Sequence, residues 1–348
     1  MKTEFFLGAN SGNGFYSLYD DFCNDDGDFM YLIKAGPGGG KSSFMRKIGA
    51  FAEGKGYDVE YVLCSGDPNS LDGVYIPRLK LGFADATAPH VMEPGVFGHS
   101  GNYVNLGQFC RTADNDNVPR LNRAYKAQYE RAYTMLKAAA TIKDASFSKT
   151  ASEAIIEKIN KKAYSTAHKH FGRGKLSDDL PKIKRRFIRG LSCYGEYILT
   201  DTIKSLCKLV YSVDDKFGLA DIYLKRLRSE AMKRGEKIIE CPSPLLPHRL
   251  DGLIFPTRQV GFFSSEVLHG DDATGHVRLD ALLSGADNKS KRALIRTDTK
   301  LYNSIMAEAY SSLKNAKALH DELERAYKPY IDFDALSEFS EGFLTFIK

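Results

Sequence analysis

Phe29-Met-Tyr-Leu-Ile-Lys34, then Ala35-Gly-Pro-Gly-Gly-Gly-Lys-Ser42, then an amphipathic run to Ala52, is the stretch that decides how this chain folds. Phe29 to Ile33 is an apolar run of strand length, and Phe44, Met45, Ile48, Phe51 and Ala52 recur at helical spacing. Backbone N–H groups between them can converge on one cup only where side chains stay clear, and the glycines at 36, 38, 39 and 40 meet that need. Such a cup at a helix N-terminus suits a phosphate. Strand, glycine loop and helix together make a P-loop of the broader Walker A kind, with Ala35 where the strict pattern has glycine. Gly36, Pro37, Gly38, Gly39, Gly40, Lys41, Ser42 and Ser43 are the expected nucleotide cradle, Lys41 reaching the β and γ phosphates and Ser42 offering its hydroxyl to Mg²⁺. The plain alternative is a glycine-rich turn with an incidental lysine.

The chain has 348 residues, 43% hydrophobic and 27% charged, which suits a protein of about two domains with real cores. No stretch approaches the ~18 apolar residues of a membrane span, and Glu4 with nearby glycines stands where a signal peptide would be basic and then apolar. A cytoplasmic protein without a membrane partner is expected. The cysteines at 23, 64, 110, 193, 207 and 241 show no Cys-x-x-Cys spacing, so reduced thiols are expected and not a metal site. A net charge of +5 does not by itself demand nucleic acid.

The chain contains itself twice. An offset of 179 aligns Gly56 with Gly235, Pro68 with Pro247, Leu71-Asp72-Gly73 with Leu250-Asp251-Gly252, Pro77 with Pro256 and Gly82-Phe83 with Gly261-Phe262. An offset of 181 aligns Phe6, Ser11, Gly14 and Tyr16 with Phe187, Ser192, Gly195 and Tyr197. The expected architecture is α/β, two tandem P-loop NTPase-like parallel-sheet units, each followed by long helices. The boundaries read as 1–118 for the first unit, 119–181 for a helical arm, 182–298 for the second unit and 299–348 for a closing helical segment.

Asp58 to Cys64 and Leu79 to Ala84 alternate as strands, and in a parallel sheet ligands gather at the strands' carboxyl ends. Asp85 ends the second of these, as a Walker B aspartate does, and is expected to hold Mg²⁺ opposite Ser42; the alternative is an aspartate that starts a turn or caps a helix. Lys41 and Asp85 are the expected catalytic pair. No glutamate follows Asp85, so the base is unassigned, with Asp67, Glu93 and His90 as substitutes. In the second copy Val213-Asp-Asp-Lys-Phe-Gly-Leu-Ala-Asp-Ile222 keeps one glycine and puts acidic side chains in the cup, while Ser264 aligns with Asp85. Polyphosphate would be repelled there.

Together these features resemble a family of bacterial proteins of about this length, built from two tandem P-loop NTPase-like halves and described only as ATPases or ATP-binding proteins. The Gly36 to Ser42 loop, Cys64-Ser-Gly-Asp-Pro-Asn-Ser-Leu-Asp-Gly73 and Phe83-Ala-Asp-Ala-Thr-Ala-Pro-His90 carry the resemblance, which covers most of the chain. It implies ATP binding, and by analogy hydrolysis, at Lys41, Ser42 and Asp85. Family members often look able to bind nucleotide in both halves, and this chain departs by having lost the second loop.

Leu121, Ala124, Tyr125, Ala132, Tyr133, Leu136 and Ala140 mark one amphipathic helix, Ala154, Ile155, Ile159, Ala163 and Ala167 another, and Leu301 to Tyr327 a third. Such arms serve as lids, a dimer surface or packing between the halves. From Lys158 to Arg189 eleven Lys or Arg face only Asp178 and Asp179, a run that suits either a nucleic-acid backbone or a plain solvated face. His168 and His170 fall on different sides of a helix, which disfavours a shared metal. The expected ligand is Mg·ATP, with γ-phosphoryl hydrolysis or transfer to water, a nucleotide or an unknown metabolite. The rival is a nucleotide-gated module with a protein partner and little turnover.

Overall fold

The computed structural model describes residues 1–148, 151–172, 181–283 and 287–347, the side chains of 148 and 287–294 excepted. The part of the basic run that holds Asp178 and Asp179 lies outside the described residues. The first unit runs β1 (Lys2–Phe6), a hairpin of β2 (Gly8–Ser11) and β3 (Gly14–Ser17), β4 (Phe29–Lys34), α1 (Lys41–Gly54), β5 (Val59–Leu63), β6 (Leu71–Ile76), β7 (Leu81–Asp85) and β8 (Gly101–Asn105), then the long helices α2 (Asn117–Ser148) and α3 (Glu153–Phe171). The second runs β9 (Ile183–Arg185), a hairpin of β10 (Arg189–Ser192) and β11 (Gly195–Ile198), α4 (Thr200–Leu206), β12 (Leu209–Val213), α5 (Ala220–Met232), β13 (Ile238–Pro242), β14 (Leu250–Phe255), β15 (Val260–Ser264) and β16 (Gly275–Val277), then α6 (Asp287–Tyr327) and α7 (Phe333–Leu344).

The fold is mixed α/β with two six-stranded sheets, ordered β1-β5-β6-β7-β4-β8 and β9-β13-β14-β15-β12-β16. Strand for strand the two orders match. Both sheets are mixed and not purely parallel, because β6 and β14 run against both their neighbours. The reason is local: only Pro77–Leu79 as a 3₁₀ turn and Lys80 at φ +52 join β6 to β7, too short for the crossover that parallel pairing requires. Pro256–Arg258 and Gln259 at φ +51 repeat that turn. Matched aromatic pairs hold the strands: Tyr31 stacks on its register partner Phe83 at 5.3 Å between centroids, and Tyr211 on Phe262 at 4.8 Å.

The units meet about a local two-fold. Phe6 and Phe187, counterparts at offset 181, exchange backbone hydrogen bonds of 3.0 and 2.9 Å. Gly12 N donates to Leu245 O at 3.2 Å, and its mirror contact, Cys193 N to Gly66 O, spans 3.1 Å. The described cations of the 182–189 segment are used here or within their own unit: Lys182 and Lys184 pair with Asp25, Arg185 with Asp21, Arg186 with Glu60 and Arg189 with Asp251.

The helices cross over. Residue numbers rise along α2 as they fall along α6, from Tyr125 beside His320 to Ser146 beside Asp298, so the two pack antiparallel around Leu136, Ala139, Ala140, Met306 and Ala309. α3 does not rest on its own unit; Ile159, Ala163, Ala167 and Phe171 pack into the second unit's core against Tyr223 and Leu227 of α5. α7 returns the exchange, with Phe339 and Phe343 on Phe44 of α1. Each large side chain buried this way stabilises the exchange by roughly 1.5–3 kcal/mol.

Candidate functional site

Ile33 pairs in register with Asp85, so β4 and β7 are neighbours and their carboxyl ends open side by side. Chain order alone leaves that adjacency undecided. Gly40 caps α1 at φ +80 and Gly38 turns at φ +69, conformations that favour glycine. A Cβ on Gly39 would stand 2.8 Å from the Ala35 Cβ, whereas nothing lies within 4 Å of one on Gly36, so the loop is tight inside and open on one flank. Pro37 between them is half-buried, and Ser43 is exposed on the first turn of α1.

Lys41 folds back over the loop. Its Nζ donates to Ala35 O at 3.1 Å and Gly36 O at 3.3 Å and stands 3.6 Å from Asp85 Oδ2. The Ser42 hydroxyl accepts from Leu71 N at 2.9 Å, which ties the start of α1 to β6. Asp85 Oδ1 accepts from Thr87 N at 2.8 Å and Thr87 Oγ1 at 2.6 Å, leaving Oδ2 to face Lys41. Burial pushes the Asp85 pKa up, Lys41 pulls it back and Asp72 pushes it up again. A buried carboxylate that one lysine leaves only partly compensated is well disposed to a divalent cation, and this donor set of hydroxyl and carboxylate oxygen is of the hard kind Mg²⁺ takes.

Of the three substitute bases, Asp67 Oδ1 accepts from Asn69 N at 3.1 Å and Oδ2 lies 3.3 Å from Lys317; Glu93 is exposed in the segment before β8. His90 is buried, edge-on to Phe15 at 4.7 Å between centroids and tilted on Tyr19 at 5.1 Å, with Nε2 3.2 Å from Asp72 Oδ2. Thr87, two residues after Asp85, carried a legible side-chain turn signal. Asp72 stood in the repeat without a sign of its partner. Two covering contacts had no local signal: a Cβ on Gly38 would stand 3.3 Å from Glu324 Cβ of α6, and one on Gly40 2.5 Å from Leu336 Cδ2 of α7.

The second loop is one residue shorter. Ser265 N donates to Val213 O as Ala86 N does to Ile33 O, and Leu250 N donates to Asp221 Oδ1 as Leu71 N does to Ser42 Oγ, so Ala220 stands in the place of Lys41 and Asp221 in that of Ser42. Asp215 Oδ1 accepts from Ala220 N at 3.0 Å, occupying the α5 N-terminus with the chain's own carboxylate. A Cβ on Gly218 would meet Phe147 of α2 at 2.3 Å, and Arg249 lies 4.7 Å over that ring.

All six cysteines are free. Among the described residues His320, Asp321 and Glu324 form the one group of three spaced for a metal, and Lys317 already pairs with Asp321. Also among them, no helix is long and apolar enough to cross a membrane. An open cavity of about 390 Å³ on the β2–β3 hairpin, lined by Gly12, Asn13, Gly14, Tyr133, Thr134 and Lys137, contains no residue of the glycine loop. No family model, curated protein or solved structure matches the chain.

Proposed function

We propose that the first unit is a P-loop NTPase-like site that binds Mg·ATP and hydrolyses or transfers its γ-phosphoryl group. The observation that carries this is Lys41 facing Asp85 at 3.6 Å across the mouth of a glycine loop that opens onto a helix N-terminus. The backbone N–H groups of Gly36, Gly38, Gly40, Lys41 and Ser42 hold the polyphosphate, and Lys41 Nζ, released from Ala35 O and Gly36 O, offsets charge on its terminal oxygens. Mg²⁺ held by Ser42 and Asp85 supplies further charge neutralisation when bound. The second unit binds no nucleotide, since Asp215 already occupies the corresponding helix end. Six free thiols suit a reducing, cytoplasmic compartment.

The test is nucleotide binding by calorimetry together with phosphate release, for wild type and Lys41→Ala, with and without nucleotide and nucleic-acid acceptors. Release without acceptor marks an ATPase, and release only with one marks a phosphotransferase. Unchanged binding in Lys41→Ala overturns the site. A second reading, an ATP-gated module, draws on Glu324 and Leu336 resting on the loop, because nucleotide there presses on helices of the other half. Tight Mg·ATP binding with no phosphate release over hours selects it.

A further inference from the structure

The chain lacks a glutamate after Asp85, yet three buried polar atoms close to that residue have no hydrogen-bond partner: Tyr19 Oη, Asp72 Oδ2 and His90 Nδ1. Such atoms are costly to leave bare, and native proteins keep few without a use. The side chains are neighbours. Tyr19 and His90 rings touch, and His90 Nε2 stands 3.2 Å from Asp72 Oδ2 without the alignment of a hydrogen bond.

The second unit shows what this cluster looks like when it only holds structure together. Asp251, the counterpart of Asp72, is bonded by Arg189 through Nε at 2.8 Å and Nη2 at 2.7 Å, and Glu196 and Glu266 take the rest of the guanidinium. Arg189 grows from the position that Gly8 holds in the first unit, where His90 Cε1 lies 3.4 Å from where a Cβ would be. His269, the counterpart of His90 at offset 179, is exposed. The half with the filled loop thus satisfies its aspartate with a permanent cation, while the half with the open loop puts a histidine there, one nitrogen toward the carboxylate and the other bare. A base oriented by a carboxylate has this arrangement.

We infer that His90, oriented by Asp72, is the base that activates the water attacking the γ-phosphate, in place of the missing glutamate. The inference rests on the Mg·ATP reading of the first unit. In the step, Nδ1 takes a proton from water as its oxygen bonds to the γ-phosphorus. The bond from phosphorus to the β–γ bridging oxygen breaks with its electron pair on the leaving diphosphate, and the histidine later releases the proton to solvent.

The test measures Mg·ATP binding with a fluorescent nucleotide analogue and single-turnover phosphate release on the full chain, for wild type, His90→Gln, Asp72→Asn and His269→Gln. His90→Gln should lose roughly 10²–10⁴-fold in turnover with binding within about two-fold of wild type. Asp72→Asn should show the same split at smaller size, and His269→Gln should match wild type. Turnover in His90→Gln equal to wild type, or loss of binding in parallel with turnover, overturns the base while the nucleotide site stands. If His90→Gln fails to fold, by circular dichroism, Asp72→Asn decides by the same criterion. A wild type that binds without turnover leaves the nucleotide site and removes the base, and a wild type that binds no nucleotide removes both.

Discussion

The two loops differ in who supplies the anion. In the second unit the chain supplies it: Asp215 caps α5, Phe147 closes over Gly218, and Arg189 neutralises Asp251. In the first, Gly40 caps α1 with no side chain at all, and Lys41 bonds only to carbonyls of its own loop while standing near Asp85. One backbone design therefore supports two fates. Self-satisfaction fills the second loop from within, and its omission leaves amides, a lysine and a carboxylate at the first loop with no side chain of the chain in that place.

The sharpest break of this comparison is Arg189→Ala. Removing one partner from a buried ion pair leaves Asp251 uncompensated, and urea unfolding should show a loss of about 3–5 kcal/mol. A loss below about 1 kcal/mol would mean that the second unit does not depend on its internal cation. Next is Lys41→Ala, which removes charge-assisted bonds to phosphate and should cost about 2–3 kcal/mol of nucleotide affinity, roughly 30- to 150-fold, with the melting temperature unchanged. Calorimetry reads it directly. Asp221→Lys should bring no nucleotide to the second loop, since Ala220 and not Asp221 stands where Lys41 does and Asp215 stays in place.

Gly40→Ala should destabilise by roughly 1–2 kcal/mol, because its φ of +80 disfavours a side chain and a Cβ would crowd Leu336. Leu219, at the matching cap, sits at φ −83 and carries no such backbone strain.

The smallest effect separates the two aspartates by pH. Burial pulls the His90 pKa down, but Asp72, helped by Asp85 and opposed by Lys41, lifts it to a net raised value. A histidine raised on folding adds stability in full below its unfolded value of about 6.5 and loses it as pH climbs through the folded value. Urea midpoints taken from about pH 5 to about pH 8 should fall more steeply for wild type than for His90→Gln. Identical slopes would show that Asp72 and His90 are not coupled. Burial pulls the Arg189 pKa down, but Asp251, Glu266 and Glu196 hold it well above the ordinary value, so Arg189 keeps its proton throughout this range.

Much of this was legible in the residues. The glycine loop, the strand ending in Asp85, the offsets of 179 and 181 and the acidic second loop are all written in local pattern, where glycine geometry and periodicity act. The reversed β6 was missed because Leu71 to Ile76 does not alternate and is buried along its whole length, so it carries no face signal, although the short Pro77 to Lys80 link was a usable clue. Phe333 to Leu344 as a helix on α1, and Arg189 in place of a histidine, depend on packing between residues far apart in the chain, which no local spacing encodes.

The crossing of α3 and α7 has a consequence for the protein's handling. Neither half completes its own core, so a chain cleaved between Gly172 and Pro181 should yield two fragments that fold only when mixed, like subunits trading helices. A protein made of one such unit would need a second copy to cover the apolar face that α3 or α7 covers here.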